Sequence, residues 1–585
     1  MPTLNWIGKE AVEKHHKAVP FRLLEPVEEL SCGDADSGNL IVQGDNLDAL
    51  KALLPRYAGK VKCIYIDPPY NTGMDDRDES GKRSGWVYND NVNSPEIKAW
   101  LGKVVGAESD DLSRHDKWLC MMQPRLALLK SFLKEDGVIF VSIDENEYGN
   151  LRILLDEIFG VTNRVGTIIW KNATDNNPTK IAIEHEYILC YAKKITYLPK
   201  EWKSPNLSAK ERLLELSEEL ISKYTDSEEL QKVYSKWLKE HKFEMWPFQD
   251  YKFIDSEGIY TGMRSVHNPG KEGYRYDVLH PETNNPCKQP LMGYRFPEST
   301  MNSLIKEGRI IFGNDENKLV ELKVYAKDYR AKLSSFFELD GRKGTNQLKE
   351  IFPENVRPFD FPKPTDLIEE LISFTTSNSD IILDSFAGSG TTAHAVLKAN
   401  KADNHNRTFI LTEMKENIAK TITQPRMKRV IEGYTKGNKE LISGLGGGFQ
   451  YCRLSEEPLF NADGAIRSDV SFEQLAEFVW FMETGTGLNK SDLKSIDKKN
   501  STPYLGQYKD RAIFLLYNDI LKDKSDAGGN VLNSRTLELL EEALPDFKGQ
   551  KIVYGARTRF DKTKLARLNI TFHQLPYELA VKTWF

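Results

Sequence analysis

Apolar positions between residues 39 and 193 alternate between two rhythms. Leu40-Ile41-Val42 predicts a buried strand, and Leu47, Leu50, Leu53 and Leu54 then recur at amphipathic-helix spacing. Cys63-Ile64-Tyr65-Ile66 predicts the next strand. Trp118 to Lys134 carries Leu119, Met122, Leu126, Leu129 and Leu133 on one helical face, with Asp136-Gly137 as its stop. Val138 to Ile143 predicts a strand. Leu151, Leu154, Leu155 and Ile158 predict a helix ending near Gly160, and Ile168-Ile169-Trp170 and Tyr187 to Tyr191 predict two more strands. This alternation is the pattern of an α/β fold with a doubly wound, mostly parallel sheet.

The rhythm breaks over residues 194–353. Charged helical stretches (Lys210 to Glu219, Glu228 to Lys242) precede an irregular run from Trp246 to Phe296. The α/β pattern returns at 354. Leu367, Ile368, Leu371 and Ile372 mark a helix, Ile381 to Asp384 a strand, and Phe409-Ile410-Leu411 another strand. Leu411 to Gly433 continues as a helix, and Gly444 to Gly448 is a flexible glycine break. Further on, Ser471 and Gln474 form a capping box, and Ala512 to Tyr517 and Ile552 to Tyr554 predict strands around a helix from Thr536 to Leu544. Five segments follow. These are an N-terminal arm (1–38), two halves of one α/β domain (39–193 and 354–455), an inserted α+β region (194–353) and a small C-terminal α/β domain (456–585).

Composition narrows the class without choosing within it. The 585 residues exceed what one core holds, so several domains are expected. A hydrophobic share of 40% and a charged share of 28% are ordinary for a soluble globular chain. No apolar run approaches ~18 residues, so no membrane span is expected. The opening Met-Pro-Thr-Leu-Asn-Trp lacks signal-peptide character. Cysteines at 32, 63, 120, 190, 287 and 452 form no C-x-x-C pair, which points to a reduced, cytoplasmic protein without a zinc site. A formal net charge of −6 gives no whole-chain attraction to nucleic acid, so any DNA contact has to rest on a local basic surface.

Two stretches carry candidate chemistry. Asp67-Pro68-Pro69-Tyr70 ends the strand at Ile66, on the sheet edge where open α/β folds bind ligands. Adjacent prolines hold that loop extended, fixing the Asp67 carboxylate and the Pro68 carbonyl as acceptors beside the Tyr70 ring. An exocyclic amine on a planar base needs that set: two acceptors and a face to stack on. The plain alternative is a proline-rich turn. The second stretch runs from Asp384 through Phe386, Gly388, Gly390 and Thr391 into a helix. Its glycines let backbone approach a ligand, and the helix N-terminus offers N–H groups to a carboxylate. Glu413, at the tip of the next strand, is placed to accept ribose hydroxyls. No lysine follows the glycines, which excludes a triphosphate P-loop, and the full G-x-G-x-x-G fingerprint is absent.

Together these stretches resemble the β class of DNA amino-methyltransferases. Asp67 to Tyr70 resembles their DPPY motif, and Asn71-Thr72-Gly73 brings it nearer to the modification subunits of type III restriction-modification systems. His115 to Leu126, Ile143 to Glu147 and Glu184 to Tyr191 are similar as well. The resemblance implies methylation of adenine N6 in double-stranded DNA, with the target base flipped out and S-adenosyl-L-methionine as cofactor. It assigns Asp67, Pro68, Pro69 and Tyr70 to catalysis. It assigns Asp384, Phe386, Gly388, Gly390 and Thr391 to the methionine end of the cofactor, and Glu413 to the ribose. Lys363 and Thr365 would wall the methionine tail, although Lys363 has a solvent-only alternative. Asp45 would lie near the cofactor's adenine, and a helix-capping role is equally open. The base motif precedes the cofactor motif, which is the circularly permuted order of a Rossmann-like methyltransferase fold. The strands before Asp67 and Asp384 should then be neighbours. A restriction (helicase or nuclease) subunit and a second copy of the chain are implied as partners.

The family places target recognition in the insertion. There Lys200, Lys203, Lys210, Arg212, Arg264, Lys271, Arg275 and Arg295 interleave with Trp202, Tyr260, Tyr274 and Tyr294, which fits DNA reading. A solvated helical hairpin is the alternative. Trp86, Tyr88 and Trp100, in the long loop from Asp75 to Leu112, could stack on bases or pack the loop down. Rival readings are cytosine-N4 transfer, a DNA-recognition subunit without activity, and cytosine-C5 transfer through Cys287. Cys287 follows Asn-Asn-Pro in a polar loop ahead of the cofactor turn, which argues against the last.

Overall fold

A computed structural model describes residues 3–34, 37–72, 95–110, 112–173, 180–202, 208–241, 245, 248–267, 271–329, 332–355, 357–437, 440–461, 465–484, 488, 503–520 and 523–575. The chain divides into two compact units, Met1–Lys200 with Ser334–Phe585, and Glu201–Leu333.

The first unit is built on one large mixed sheet. In chain order its strands are β1 (Arg22–Pro26), β2 (Leu40–Gln43), β3 (Val61–Ile66), β4 (Leu133–Ile143), β5 (Arg164–Lys171), β6 (His185–Ala192), β7 (Phe336–Glu338), β8 (Ile381–Asp384), β9 (Thr408–Glu413) and β10 (Gly448–Pro458). Among the described residues they lie in the order β1-β10-β2-β9-β8-β3-β4-β6-β5-β7, with Cys32–Gly33 paired beside β10. The central strands from β10 to β4 run parallel, and β6 is antiparallel to both its neighbours. Ile64, Ile66, Leu383 and Leu411 are fully buried, as a sheet covered on both faces requires.

Helices flank this sheet. The first, α1 (Asn46–Tyr57), buries the leucine face that its spacing predicts. The next, α2 (Arg114–Phe132), opens on a Ser113–Asp116 capping box and stops at Phe132. The expected break at Asp136-Gly137 is instead inside β4. A Cβ on Gly137 would meet the carbonyl oxygens of Lys134 and Val61 at 3.0 Å, where the β3–β4 register shifts. The glycine marks a bulge, not a turn.

The segment edges differ from expectation in three places. Arg22–Pro26 is no free arm: it pairs antiparallel with β10. The glycine run at 444–448 is pinned at its two ends, because a Cβ on Gly444 would come within 2.1 Å of the Ile431 carbonyl oxygen and one on Gly448 within 2.2 Å of the Asp34 nitrogen. Phe336–Glu338 pairs with β5, so residues 334–353 fold with the large sheet and the inserted unit is shorter than 194–353. In the C-terminal part, Tyr504–Tyr508, Arg511–Leu515, Gln550–Gly555 and Ile570–Gln574 form a separate four-stranded sheet. The helix Phe472–Thr484 starts on the expected Ser471/Gln474 box. It sets Phe478 edge-on to Phe21 at 4.8 Å.

Among the described residues the second unit has three α-helices, Ser208–Lys223, Ser227–His241 and Glu298–Lys306, and a four-stranded antiparallel sheet. Cys287, Tyr294 and Met301 lie in its core.

Candidate active site

Strand pairing brings the two motifs together. β3 and β8 are parallel neighbours, with Cys63 beside Ile382 and Ile64 beside Leu383. The Asp67 loop and the Asp384 turn therefore leave the same sheet edge side by side. One pocket is lined by Tyr65, Asp67, Lys363, Asp384, Gly388 and Thr391.

On the Asp67 side the loop is pinned from behind. The Trp118 indole N–H donates to the Pro69 carbonyl at 2.6 Å. Asn71 adopts a positive φ of 58° and donates from its side chain to Glu147 and to the Arg114 carbonyl. His115 Nδ1 also meets Glu147, at 2.7 Å. Pro68 and Pro69 are buried. Asp67 Oδ2 pairs with Lys363 Nζ at 2.9 Å, whereas Asp67 Oδ1 is buried and has no hydrogen-bond partner among the described residues. An orphaned buried acceptor is costly unless a ligand completes it. The Tyr70 hydroxyl donates to Glu186 Oε2 at 2.7 Å, and Lys363 Nζ lies 4.8 Å from the Tyr70 ring centre. Burial, with Asp67 and Glu186 nearby, raises the Tyr70 phenol well above its usual value, so it stays protonated.

On the other side Asp384 is sunk into its turn. Its carboxylate accepts from the Phe386 N–H at 2.9 Å and the Thr392 hydroxyl at 2.6 Å. Burial pushes its carboxyl up to about 7, against the pull of those two bonds. Gly388 (φ 50°) and Gly390 (φ 78°) take left-handed backbone, the reason for glycine at both places. Gly390 then opens α4 (Thr391–Asp403), whose first residues line the pocket.

Several expected residues take other partners. Lys363 bonds neither solvent nor empty space: its ammonium bridges Asp67 and Glu186, the latter at 3.3 Å. Burial alone would lower its pKa, but the two carboxylates outweigh that and raise it. Glu413 is fully buried and accepts the Gly388 and Lys415 N–H groups, both at 2.9 Å. Burial pushes it up to about 8. Thr365 is buried at the start of α3 (Thr365–Thr375), where Gln347 both donates to its hydroxyl and accepts from its N–H. Asp45 caps α1 through the Leu47 and Asp48 N–H groups and pairs with Arg125 at 3.3 Å. Phe386 is buried in the pocket wall.

Sequence reasoning missed Glu186, Gln347, Gly344 and Arg426. Glu186 left a signal, an acid near the start of a strand whose remainder from Tyr187 is apolar or aromatic. Gly344 is needed because a Cβ there would sit 1.9 Å from the Pro362 carbonyl oxygen, beside Lys363. The other two left none.

Among the rival residues, Cys287 is a core thiol of the second unit, raised by burial. Tyr294 is fully buried there and cannot stack on a base, while Tyr274 is exposed. Trp100 lies on the helix Pro95–Val104, within the stretch expected to be a loop, edge-on to His15 at 5.6 Å and under Arg125. His15 and His16 are accordingly half-buried, and burial takes His16 down to about 4. Gly73, Trp86, Tyr88, Lys203 and Trp246 lie outside the described residues, as does the Arg264 side chain. Among the described residues no helix is long and apolar enough to cross a membrane.

The family described as DNA methylase, of the N6/N4 methyltransferase type, matches residues 61–424. The Type III restriction-modification enzyme EcoP15I Mod subunit of Escherichia coli is 49% identical over 71% of this chain and 64% of that protein. The StyLTI Mod subunit of Salmonella typhimurium is 31% identical over 77% of this chain and 66% of that protein. The chain thus spans just under two thirds of the length of these relatives. The Type II methyltransferase M.KpnI of Klebsiella pneumoniae is 28% identical over 68% of this chain and 85% of its own. Among solved structures, the cytosine-N4-specific PvuII DNA methyltransferase aligns at a TM-score of 0.31 and 10% identity, over 68% of this chain and 88% of that one.

Proposed function

The chain belongs to the N6/N4 DNA methylase family, and from that premise we propose that it methylates the N6 amine of adenine in a specific double-stranded DNA sequence, as the modification component of a restriction-modification system. The observation that carries this is Asp67 Oδ1, a buried acceptor without a partner, in a pocket shared with the Gly388–Thr391 turn. S-adenosyl-L-methionine, bound at that turn, supplies an electrophilic methyl on its sulfonium.

The residues fit both ligands. Gly388 and Gly390 open the backbone toward the methionine end, and the start of α4 presents N–H groups there. Phe386 and Thr391 complete that wall. Glu413 holds the turn through the Gly388 N–H and, at the tip of β9, is the carboxylate the family's pattern assigns to the ribose. Lys363 lines the same pocket, Thr365 opens α3 two residues further on, and Asp45 caps α1 at the exit of β2. Asp67 Oδ1 accepts one N–H of the target amine and the Pro68 carbonyl accepts the other. These bonds favour a pyramidal nitrogen whose lone pair faces the methyl donor. Tyr70 stacks on the extruded base, its ring held by the hydroxyl bond to Glu186. Lys363 keeps a positive charge on Asp67 Oδ2, leaving Oδ1 for the amine.

In the same reading, the inserted unit Glu201–Leu333 holds the target-recognition region, and the large sheet with its helices forms the permuted methyltransferase domain. The N-terminal strand Arg22–Pro26 extends that sheet, and the part from 456 supports it. In this reading the chain works beside a restriction subunit, as the restriction-modification names of its relatives suggest, and does so in the cytoplasm as a homodimer.

The test is methyl transfer from labelled S-adenosylmethionine to mixed-sequence DNA, followed by nucleoside analysis. N6-methyladenine is expected. Label found only in methylcytosine moves the assignment to cytosine-N4 transfer, and no label in any base refutes the enzyme reading.

A further inference from the structure

Arg426, on α5 (Gln424–Glu432), is fully buried and lies beyond the residues matched by the family. It grips the cofactor turn. Its Nη1 donates to the Ser389 carbonyl at 3.1 Å and to the hydroxyls of Ser389 and Thr391, each at 2.9 Å. Its Nη2 meets His394 Nδ1 at 3.3 Å, and its Nε is buried without a partner. His394 is held neutral by burial and by this guanidinium. No carboxylate among the described residues neutralises Arg426, and burial lowers its pKa to about 9. The neighbouring cations differ. Lys363 faces Asp67 and Glu186, and Lys398 faces Asp366 and Glu369.

A buried guanidinium without an anion is strongly unfavourable, so an anion is expected to complete the site. The hydroxyls point to where. Ser389 and Thr391 both accept from Arg426 and lie 3.1 Å apart. Each hydroxyl carries one proton, and their mutual bond uses only one of the two. At least one proton is left to donate elsewhere, and both residues line the pocket. The N-terminus of α4 adds unpaired N–H groups at the same place.

We propose that Arg426 is the positioning residue for the α-carboxylate of the cofactor, acting through the Ser389 and Thr391 hydroxyls. The assignment rests on the S-adenosylmethionine reading given above. It makes the turn selective for a ligand bearing a carboxylate, and not merely for an adenosine.

Calorimetric titration of the full chain with S-adenosylmethionine and with its decarboxylated analogue tests it. The analogue keeps the adenosine, sulfonium and amine and lacks only the carboxylate. Arg426→Gln should weaken S-adenosylmethionine binding at least ~10-fold and change analogue binding less than ~2-fold. Arg426→Lys keeps the charge without the fork, so it should recover part of the loss for S-adenosylmethionine alone. If Arg426→Gln unfolds, as judged by its thermal melt, the lysine variant carries the same comparison. Equal losses for both ligands, or no loss for S-adenosylmethionine, overturn the assignment. Wild type binding both ligands equally well overturns it too, while the cofactor reading stands. Wild type binding neither overturns the cofactor reading itself.

Discussion

The Lys363 ammonium lies 2.9 Å from Asp67 Oδ2, although the two residues come from opposite halves of the chain. Both are largely shielded, with side chains 8% and 15% exposed. Removing one member of such a pair leaves an uncompensated charge. Lys363→Met should therefore lower the unfolding free energy by ~3 kcal/mol, and Asp67→Asn added to it should cost less than the sum of the single changes. Denaturant unfolding of the four proteins measures this. Strict additivity would show that the contact contributes nothing.

Tyr70 has two separable parts. Its ring is assigned to the flipped base and its hydroxyl to Glu186. Tyr70→Phe loses one hydrogen bond and should cost no more than ~10-fold in kcat/KM. Tyr70→Ala loses the stacking face as well and should cost ~10- to 100-fold. Steady-state methylation of DNA carrying the mapped site distinguishes them. Equal losses would make the hydroxyl, not the ring, the working part.

Two buried carboxyls set a pH dependence. Burial raises Asp384 from 3.8 to about 7 and Glu413 from 4.5 to about 8. Each binds its proton more tightly in the fold than in the unfolded chain. The stabilisation is full below the ordinary values and is lost as pH climbs through about 7 and 8. The ligand-free protein should melt at progressively lower temperature from about pH 5 to about pH 8.5. Glu413→Gln should flatten the upper part of that fall. A variant whose profile runs parallel to wild type would show that Glu413 does not titrate there.

The central strands were legible because a strand covered on both faces is a continuous apolar run. Ile381 to Asp384 is such a run, and its boundaries match. The strands at the sheet margins were not. Arg22–Pro26 mixes charge with leucine and stays partly exposed, so neither periodicity marks it. The catalytic and cofactor motifs could be read from local residue types. The Lys363–Asp67–Glu186 cluster could not, because three distant stretches supply it and only the fold makes them neighbours. Arg426 looks like any cation on a polar helix until its surroundings are seen. The acids at the strand tips show what local residue types leave open: Glu413 spends both oxygens on backbone N–H groups, while Asp45 caps its helix through Oδ1, one of its two expected roles, and meets Arg125 through Oδ2.

The pairing of Phe336–Glu338 with β5, itself beside β6, bears on how this protein can change. The backbone departs after β6 and comes back two places away along the same margin. Whatever is spliced between those points leaves the threading of every central strand untouched. Such a gap works like a socket for an exchangeable cassette, so under the proposed function a lineage could trade one sequence preference for another while its chemistry stayed intact.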